Sequence, residues 1–455
     1  MNQGSLLYRL NWSYFFGGIT LYLIVFFYWG DSVNYYNILN ASSFLSYSYL
    51  IWICMNKPEE YFTDKRLLLT VFVYSTLFVA LYLLMSYTYS DYVLIFNELD
   101  AQLYEKISFR MKDMNIQSAI SYLSTILGFD DWGIPFVMAF MLKIIPSKLF
   151  VCFCQIVMNV FIAFFLFSIS KMLMPRKYGF MATLIYTISS YSVFFMSSML
   201  KEETMTFLVI ISFFFFYKYL TNKNPINIIL GLGTSLLIIF FRVPLTIFIW
   251  IVFAGSLLMW SKSHIKKGLI VFFIFIASGA ILGLVQYSSI RYVDNTSAYV
   301  YQSTSLFQKI VSSVGALIGP FPSLLQLSSQ RVTYKSMYAP GLLYKFFLFF
   351  PFWKGFVFCI KSKSIEVAPL FMFSIIEMLA LTVVFDGLEL RKAMPHLALF
   401  ILAAFWYISR FDEDTTDDIR KSSYYYWTYL ECSFCIWLAF IVTLAWNTMV
   451  RVPHL

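Results

Sequence analysis

Apolar runs of about 20 residues recur along nearly all of the 455-residue chain, and each is long enough to cross a bilayer as a helix. Only 13% of residues are charged, against ~25% in an average soluble domain. The expected fold is therefore all-α: a polytopic transmembrane bundle, one integral membrane domain over 1–455. Thirteen helices are predicted, at 12–30, 40–56, 67–88, 149–171, 178–197, 203–220, 225–241, 244–260, 268–286, 342–360, 366–385, 394–409 and 428–449. The apolar stretch at 134–145 is too short to span and is read as a half-helix at one face. Arg9 precedes the first long apolar run and no small-residue cleavage site follows it, so that run reads as a retained helix.

Charge gives an orientation. Short loops carrying Lys57, Lys65 and Arg66; Arg176 and Lys177; Lys218 and Lys223; Lys262, Lys266 and Lys267; Lys361 and Lys363; and Arg420 and Lys421 all fall on one side, provided 134–145 does not cross. Basic loops stay in the cytosol, which places the N-terminus there. Two long segments, 90–148 and 287–340, then form outer loops; loops of that size in a compact bundle are usually functional. The net charge of +9 fits anchoring at a cytoplasmic membrane face and leaves no soluble basic patch for nucleic acid. The acidic stretch 410–421 lacks the Gly and terminal Glu of a calcium loop and reads as a solvated connection.

Cys54, Cys152, Cys154, Cys359, Cys432 and Cys435 all lie in apolar runs, and with three His in the chain they read as packing residues; no metal site is expected. The 51 Phe and 33 Tyr are assigned mostly to membrane interfaces, with sugar stacking as a second use.

The stretch "SSMLKEETMTFL" sets Lys201, Glu202 and Glu203 between two apolar runs, at the outer end of the bundle in this orientation. The bland explanation is a hydrated corner, with Glu203 turned to headgroups or solvent. Arg242, in "IIFFRVPLT", has no charged neighbour in sequence, and an Arg so placed calls for an interior cavity and an anionic partner such as Glu202 or a phosphate. Asp386, Glu389, Arg391 and Lys392 reach the same side, as do Glu98, Asp100, Glu105, Asp130 and Asp131 from the first loop and Arg291, Arg331 and Lys335 from the second. Carboxylates there can take a proton from an attacking sugar hydroxyl. Arg and Lys can hold a departing phosphate or diphosphate. A transporter would carry charge near the midplane, and the mid-helix regions read as nearly free of it.

The residues "NELDAQLY" (97–104), "DDWGIPFVMAFML" (130–142), "PRKYG" (175–179), "SSMLKEETMTFL" (197–208), "GPFPSLL" (319–325) and "LELRKAMPHLALF" (388–400) carry, in that order, a resemblance to the GT-C superfamily of membrane glycosyltransferases. The resemblance implies a polyprenyl-linked sugar donor, with undecaprenyl phosphate or diphosphate as part of the substrate and no separate cofactor. It implies Asp100 as catalytic base, Lys201 and Glu202 at the basic-acidic corner, and Arg391 before the late Pro helix. Glu202 stands where Asp is commoner, and two extra helices precede the acidic loop. Length, aromatic content and large outer loops are most similar to O-antigen and capsule polymerases of the Wzy type. That likeness implies a bacterial inner-membrane enzyme acting on a lipid-linked glycan, with membrane lipids and a chain-length regulator or flippase as partners. A serotype-modifying single-sugar transferase, or a lipid-linked oligosaccharide flippase or other transporter, are the alternatives.

Overall fold

The computed structural model describes residues 5–28, 35–90, 99–198, 200–260, 335–385, 394–414 and 419–451. Among them all regular structure is helical: α1 (Leu6–Tyr28), α2 (Tyr35–Met55), α3 (Asp64–Ser90), α4 (Leu99–Met111), α5 (Ile116–Ile126), α6 (Gly133–Ile144), α7 (Lys148–Leu173), α8 (Arg176–Thr187), α9 (Ser190–Ser197), α10 (Glu202–Asn222), α11 (Pro225–Leu237), α12 (Val243–Trp260), α13 (Lys335–Ser362), α14 (Ala368–Phe385), α15 (Met394–Asp414) and α16 (Ile419–Arg451).

Four of these helices, α3, α7, α10 and α13, are long and apolar enough to cross a bilayer, or five spans if α8 and α9 count as one bent crossing. Shorter apolar segments lie within α2, α6, α11, α12, α14 and α16. The expected helix at 268–286 and the loop 287–334 lie outside the described residues. The half-helix at 134–145 is α6, 12 residues long. The first expected loop is itself largely helical, because α4 and α5 carry an amphipathic pattern that lets each lay one face on the bundle. Asn115 caps α5, its side chain accepting from the Ser118 N–H.

The run expected as one helix at 178–197 is broken. Ile188 leaves helical backbone and Ser189 restarts it, its hydroxyl accepting from the Ser192 N–H. The two pieces meet at 47°. A break inside a bundle exposes carbonyls that lipid cannot satisfy. Two polar residues of α7 face it. Asn159 donates through Nδ2 to the Thr187 carbonyl at 2.8 Å and to Ser75 Oγ at 3.2 Å. The Gln155 amide, turned to donate, reaches the Phe195, Met196 and Ser198 carbonyls at 2.8–3.0 Å. Both side chains are buried.

The bundle has two ends. At one, Lys171 pairs with Asp64, Glu59 accepts from the Lys177 N–H, and Asp412 accepts from the Leu6 N–H and the Tyr178 hydroxyl. At the other, Lys201 meets Asp131 and Lys148 meets Glu105. This second end is called the mouth below. Aromatic residues do much of the interior packing, contrary to the expectation that most serve the interfaces. Phe216 stacks on Phe253 at 4.1 Å and Phe352 on Phe400 at 4.2 Å, and Trp406 is buried among Phe358 and Phe371.

Gly341 marks a close approach of the α13 and α9 backbones. A Cβ there would stand 2.8 Å from the Tyr191 backbone nitrogen and 2.9 Å from Tyr191 Cβ, while its own N–H donates to Ser190 Oγ at 2.8 Å. Gly341→Ala should destabilise the protein by about 1–3 kcal/mol, since neither backbone can yield without repacking. Gly233→Ala, on α11 with open space around it, should instead gain up to about 1 kcal/mol of helix propensity. Thermal unfolding of both purified variants in one detergent checks the contrast; equal effects would refute the close packing of α13 on α9.

Asp412 lies past the last apolar turn of α15. Burial pushes its carboxyl up to about 6, against opposing hydrogen bonds from Leu6, Tyr178 and Leu7 and the charge of Lys177. A free Asp titrates near ~3.9, so the folded state holds the extra proton between the two values. The contribution is present in full below the unfolded value and is lost as pH rises through about 6. Asp412→Asn should flatten this slope. Unfolding curves of the two proteins between pH 4 and 8 should therefore differ by an amount that changes below pH 6 and is constant above it; a constant difference throughout would rule the coupling out.

Candidate functional site

The break between α8 and α9 turns the chain so that Lys201 caps α10 at the mouth, and Glu202 and Glu203 open that helix. Carboxylates in a first turn complement the helix dipole, which is a sufficient local reason for the sequence. Their burial exceeds that reason. Glu202 is 1% exposed and Glu203 0%, so this is no hydrated corner, and Glu203 does not turn to headgroups or solvent as expected. Neither oxygen of Glu203 has a hydrogen-bond partner among the described residues.

Consecutive residues on a helix point ~100° apart, and here the two glutamates serve two different clusters. The first gathers around Tyr104 on α4. Its hydroxyl donates to Asp131 Oδ1 at 3.0 Å, and the Lys201 ammonium meets the same oxygen. Burial, followed by the negative charges of Asp131, Glu202 and Asp100, pushes the Tyr104 hydroxyl well above the usual phenol range. Asp100 lies one turn before Tyr104, half-buried in the first turn of α4. Three carboxylates and one ammonium thus converge on a single tyrosine.

Arg242 precedes α12 on the corner that packs against this site. Phe240 meets Phe129 at 5.0 Å, and Gly133 lets the Phe241 ring lie against α6 where a Cβ would stand 2.6 Å from it. One guanidinium nitrogen of Arg242, Nη1, is buried without a hydrogen-bond partner among the described residues. Beside the charged residues runs an apolar cavity of about 510 Å³, lined by Val137, Met158, Phe207, Leu208 and Phe241 among others. Ile120, Phe136, Leu237 and Phe240, all exposed, line it as well. Its lining includes Trp132 and Gly133, which follow Asp131 in the chain, Phe241, which precedes Arg242, and Thr204, two residues after Glu202.

Of the residues expected at the site, the structure brings Asp100, Lys201 and Glu202 together and sets Arg242 on the adjoining corner. Lys335 opens α13 at the mouth. Arg291, Arg331 and Arg391 lie outside the described residues, as do Glu98, Asp386, Glu389 and Lys392. Lys148 is held by Glu105, and Arg110 donates to the Tyr122 hydroxyl at 3.3 Å. Asp130, expected beside Asp131, is exposed. Sequence reasoning did not single out Tyr104 or the Asp131–Lys201 pair. The signal for them was the "DAQLY" spacing, which puts Tyr104 one turn after Asp100 on the same helical face.

The second cluster overturns the expectation that the mid-helix regions carry almost no charge. Lys345 on α13 is 2% exposed, Glu377 on α14 3% and His396 on α15 0%. His396 Nδ1 lies 3.5 Å from Glu377 Oε2, and Lys345 interacts electrostatically with Glu377. Tyr186 on α8 interacts electrostatically with both Glu203 and Glu377, which links the second glutamate of α10 to the group. Among the described residues no three acidic, His or Cys side chains are arranged to ligate a metal ion. Compared with known protein families and with curated proteins, the chain has no significant match.

Proposed function

We propose that the chain is a membrane glycosyltransferase that forms glycosidic bonds from a lipid-linked sugar donor, and that it joins repeat units of a bacterial O-antigen or capsule glycan. One observation carries the reading: an apolar cavity, sized for part of a lipid chain, is lined by the immediate sequence neighbours of Asp131, Glu203 and Arg242. A polyprenyl chain would lie in the cavity. Its phosphate or diphosphate would meet Lys201 and the unsatisfied Arg242 nitrogen, where charge grows as the leaving group departs. The acceptor hydroxyl would attack the anomeric carbon while the bond from that carbon to the phosphate oxygen breaks. That bond's electrons leave with the phosphate, and the hydroxyl proton passes to Asp100. Asp131 would hold Lys201 in place until phosphate competes for it, and Tyr104 would fix Asp131. Transfer of a single sugar from a polyprenyl phosphate would use the same parts.

A second reading, a transporter of lipid-linked glycans or other solutes, is favoured by the buried Lys345, Glu377 and His396, because ionisable groups inside a bundle mark ion and substrate paths. The two part on turnover. Asp100→Asn should reduce glycan extension in membranes ~10²–10⁴-fold with protein level unchanged. Lys201→Gln, Glu202→Gln and Arg242→Gln should also lose extension while inserting normally, and exposed Asp130→Asn should keep it. Full-length glycan from all four site variants would sink the enzyme reading.

The proposed orientation, N-terminus in the cytosol of a bacterial inner membrane, is supported by Lys57, Lys65, Arg66, Lys177 and Lys363 gathering at the end opposite the mouth. In a variant lacking the six native cysteines, Asp113→Cys near the mouth should react with an impermeant maleimide in intact spheroplasts, and Lys65→Cys only after lysis. The reverse pattern would put the site on the cytosolic face and exclude this reaction scheme.

A further inference from the structure

Among the described residues, the second cluster has a charge count that does not close. Glu203 and Glu377 bring two carboxylates and Lys345 one ammonium, all within helices of the bundle interior. An uncompensated charge in such a place is costly, so the group as a whole is short by one proton. His396 offers a place for it. Its ring is fully buried, Nδ1 faces Glu377 Oε2 at 3.5 Å, and neither ring nitrogen has a closer hydrogen-bond partner among the described residues. Glu203, with both oxygens unpartnered, offers the other. Tyr186 on α8 interacts electrostatically with both Glu203 and Glu377.

We propose that Glu203, Lys345, Glu377 and His396 form an internal proton-binding site that holds one exchangeable proton and fills from the mouth. His396 is the third residue of α15 and Glu203 the second of α10, so both sit at the mouth end of their helices. The step is simple: hydronium delivers a proton to Nδ1, an N–H bond forms toward Glu377, and water leaves. The groups that face His396 come from the helices packed on α15: Lys345 from α13, Glu377 from α14, and, through Glu377, Tyr186 from α8 and Glu203 from α10. Helix α1 meets α15 at the opposite end, through the Leu6–Asp412 bond. The site stands whether the chain transfers sugars or transports them.

The chain has only three histidines, His264, His396 and His454, so nitrogen NMR of protein labelled with ¹⁵N-histidine in lipid nanodiscs can isolate the one that matters. The signals lost in His396→Gln identify it. In the unsubstituted protein these signals should pass from neutral to imidazolium character within about pH 5–9, the range in which an imidazole can titrate in a protein. Glu377→Gln and Glu203→Gln each remove a negative neighbour, and Lys345→Met removes a positive one. The first two should displace the His396 midpoint in one sense and the third in the opposite sense, Glu377→Gln by about one pH unit or more. These variants keep the imidazole, so they report even if His396→Gln fails to fold; the assignment then rests on the signals that respond to Glu377→Gln. If the His396 signals keep one protonation state across the range in every variant, or titrate without regard to Glu377 and Lys345, the cluster is a fixed packing element and the proposal fails.

Discussion

Much of the mouth depends on two amides of α7. A helix can stop inside an apolar bundle only if its last carbonyls find donors, and Asn159 and Gln155 supply them at Thr187 and at the end of α9. With those bonds made, α8 and α9 can part at 47° and the chain can return into α10 at Lys201. Without them the run from 176 to 197 would gain by continuing as one straight helix, and the Lys-Glu-Glu corner would be carried away from α4 and α6. The same break offers Ser190 to the Gly341 N–H, so α13 also docks on it and carries Lys345 into the interior one turn further on.

The corner then divides its charges by helix geometry. Lys201 and Glu202 face Tyr104 and Asp131 beside the apolar cavity, while Glu203 faces Tyr186 and the interior group on α13, α14 and α15. Three adjacent charges that look redundant in the sequence therefore belong to two separate environments. One is at the edge of the bundle, with an exposed rim; the other lies in the interior, its side chains 0–3% exposed.

The helical class, the half-helix α6, the start of α10 and the meeting of Asp100, Lys201 and Glu202 at one end could all be read from hydropathy, length and the placement of basic loops. These are signals that a chain in lipid must carry locally, since each span has to be apolar by itself. The break at Ile188–Ser189 was not legible, because "TISSYS" has no Pro or Gly and the stabilising donors come from α7, about 30 residues away. Asn159 and Gln155 looked like ordinary interruptions of an apolar run. Lys345, Glu377 and His396 were hidden for the same reason: each is flanked by apolar residues in its own helix, and only the packing of α13, α14 and α15 brings them together.

The aromatic load has its own explanation in this arrangement. Helices that must enclose charged side chains cannot also leave voids beside them, because water entering such a void would hydrate the ions and weaken their coupling. Large flat side chains fill that space with few rotatable bonds. Tyr14, Tyr47 and Tyr344 pack ring against ring, and Tyr344 precedes Lys345 directly. Tyr47 donates to the Ile185 carbonyl at 2.7 Å, just before the break. The tyrosines thus seal the interior around the broken helix and the buried ions together, which ties the unusual composition of the chain to the two features on which its proposed chemistry rests.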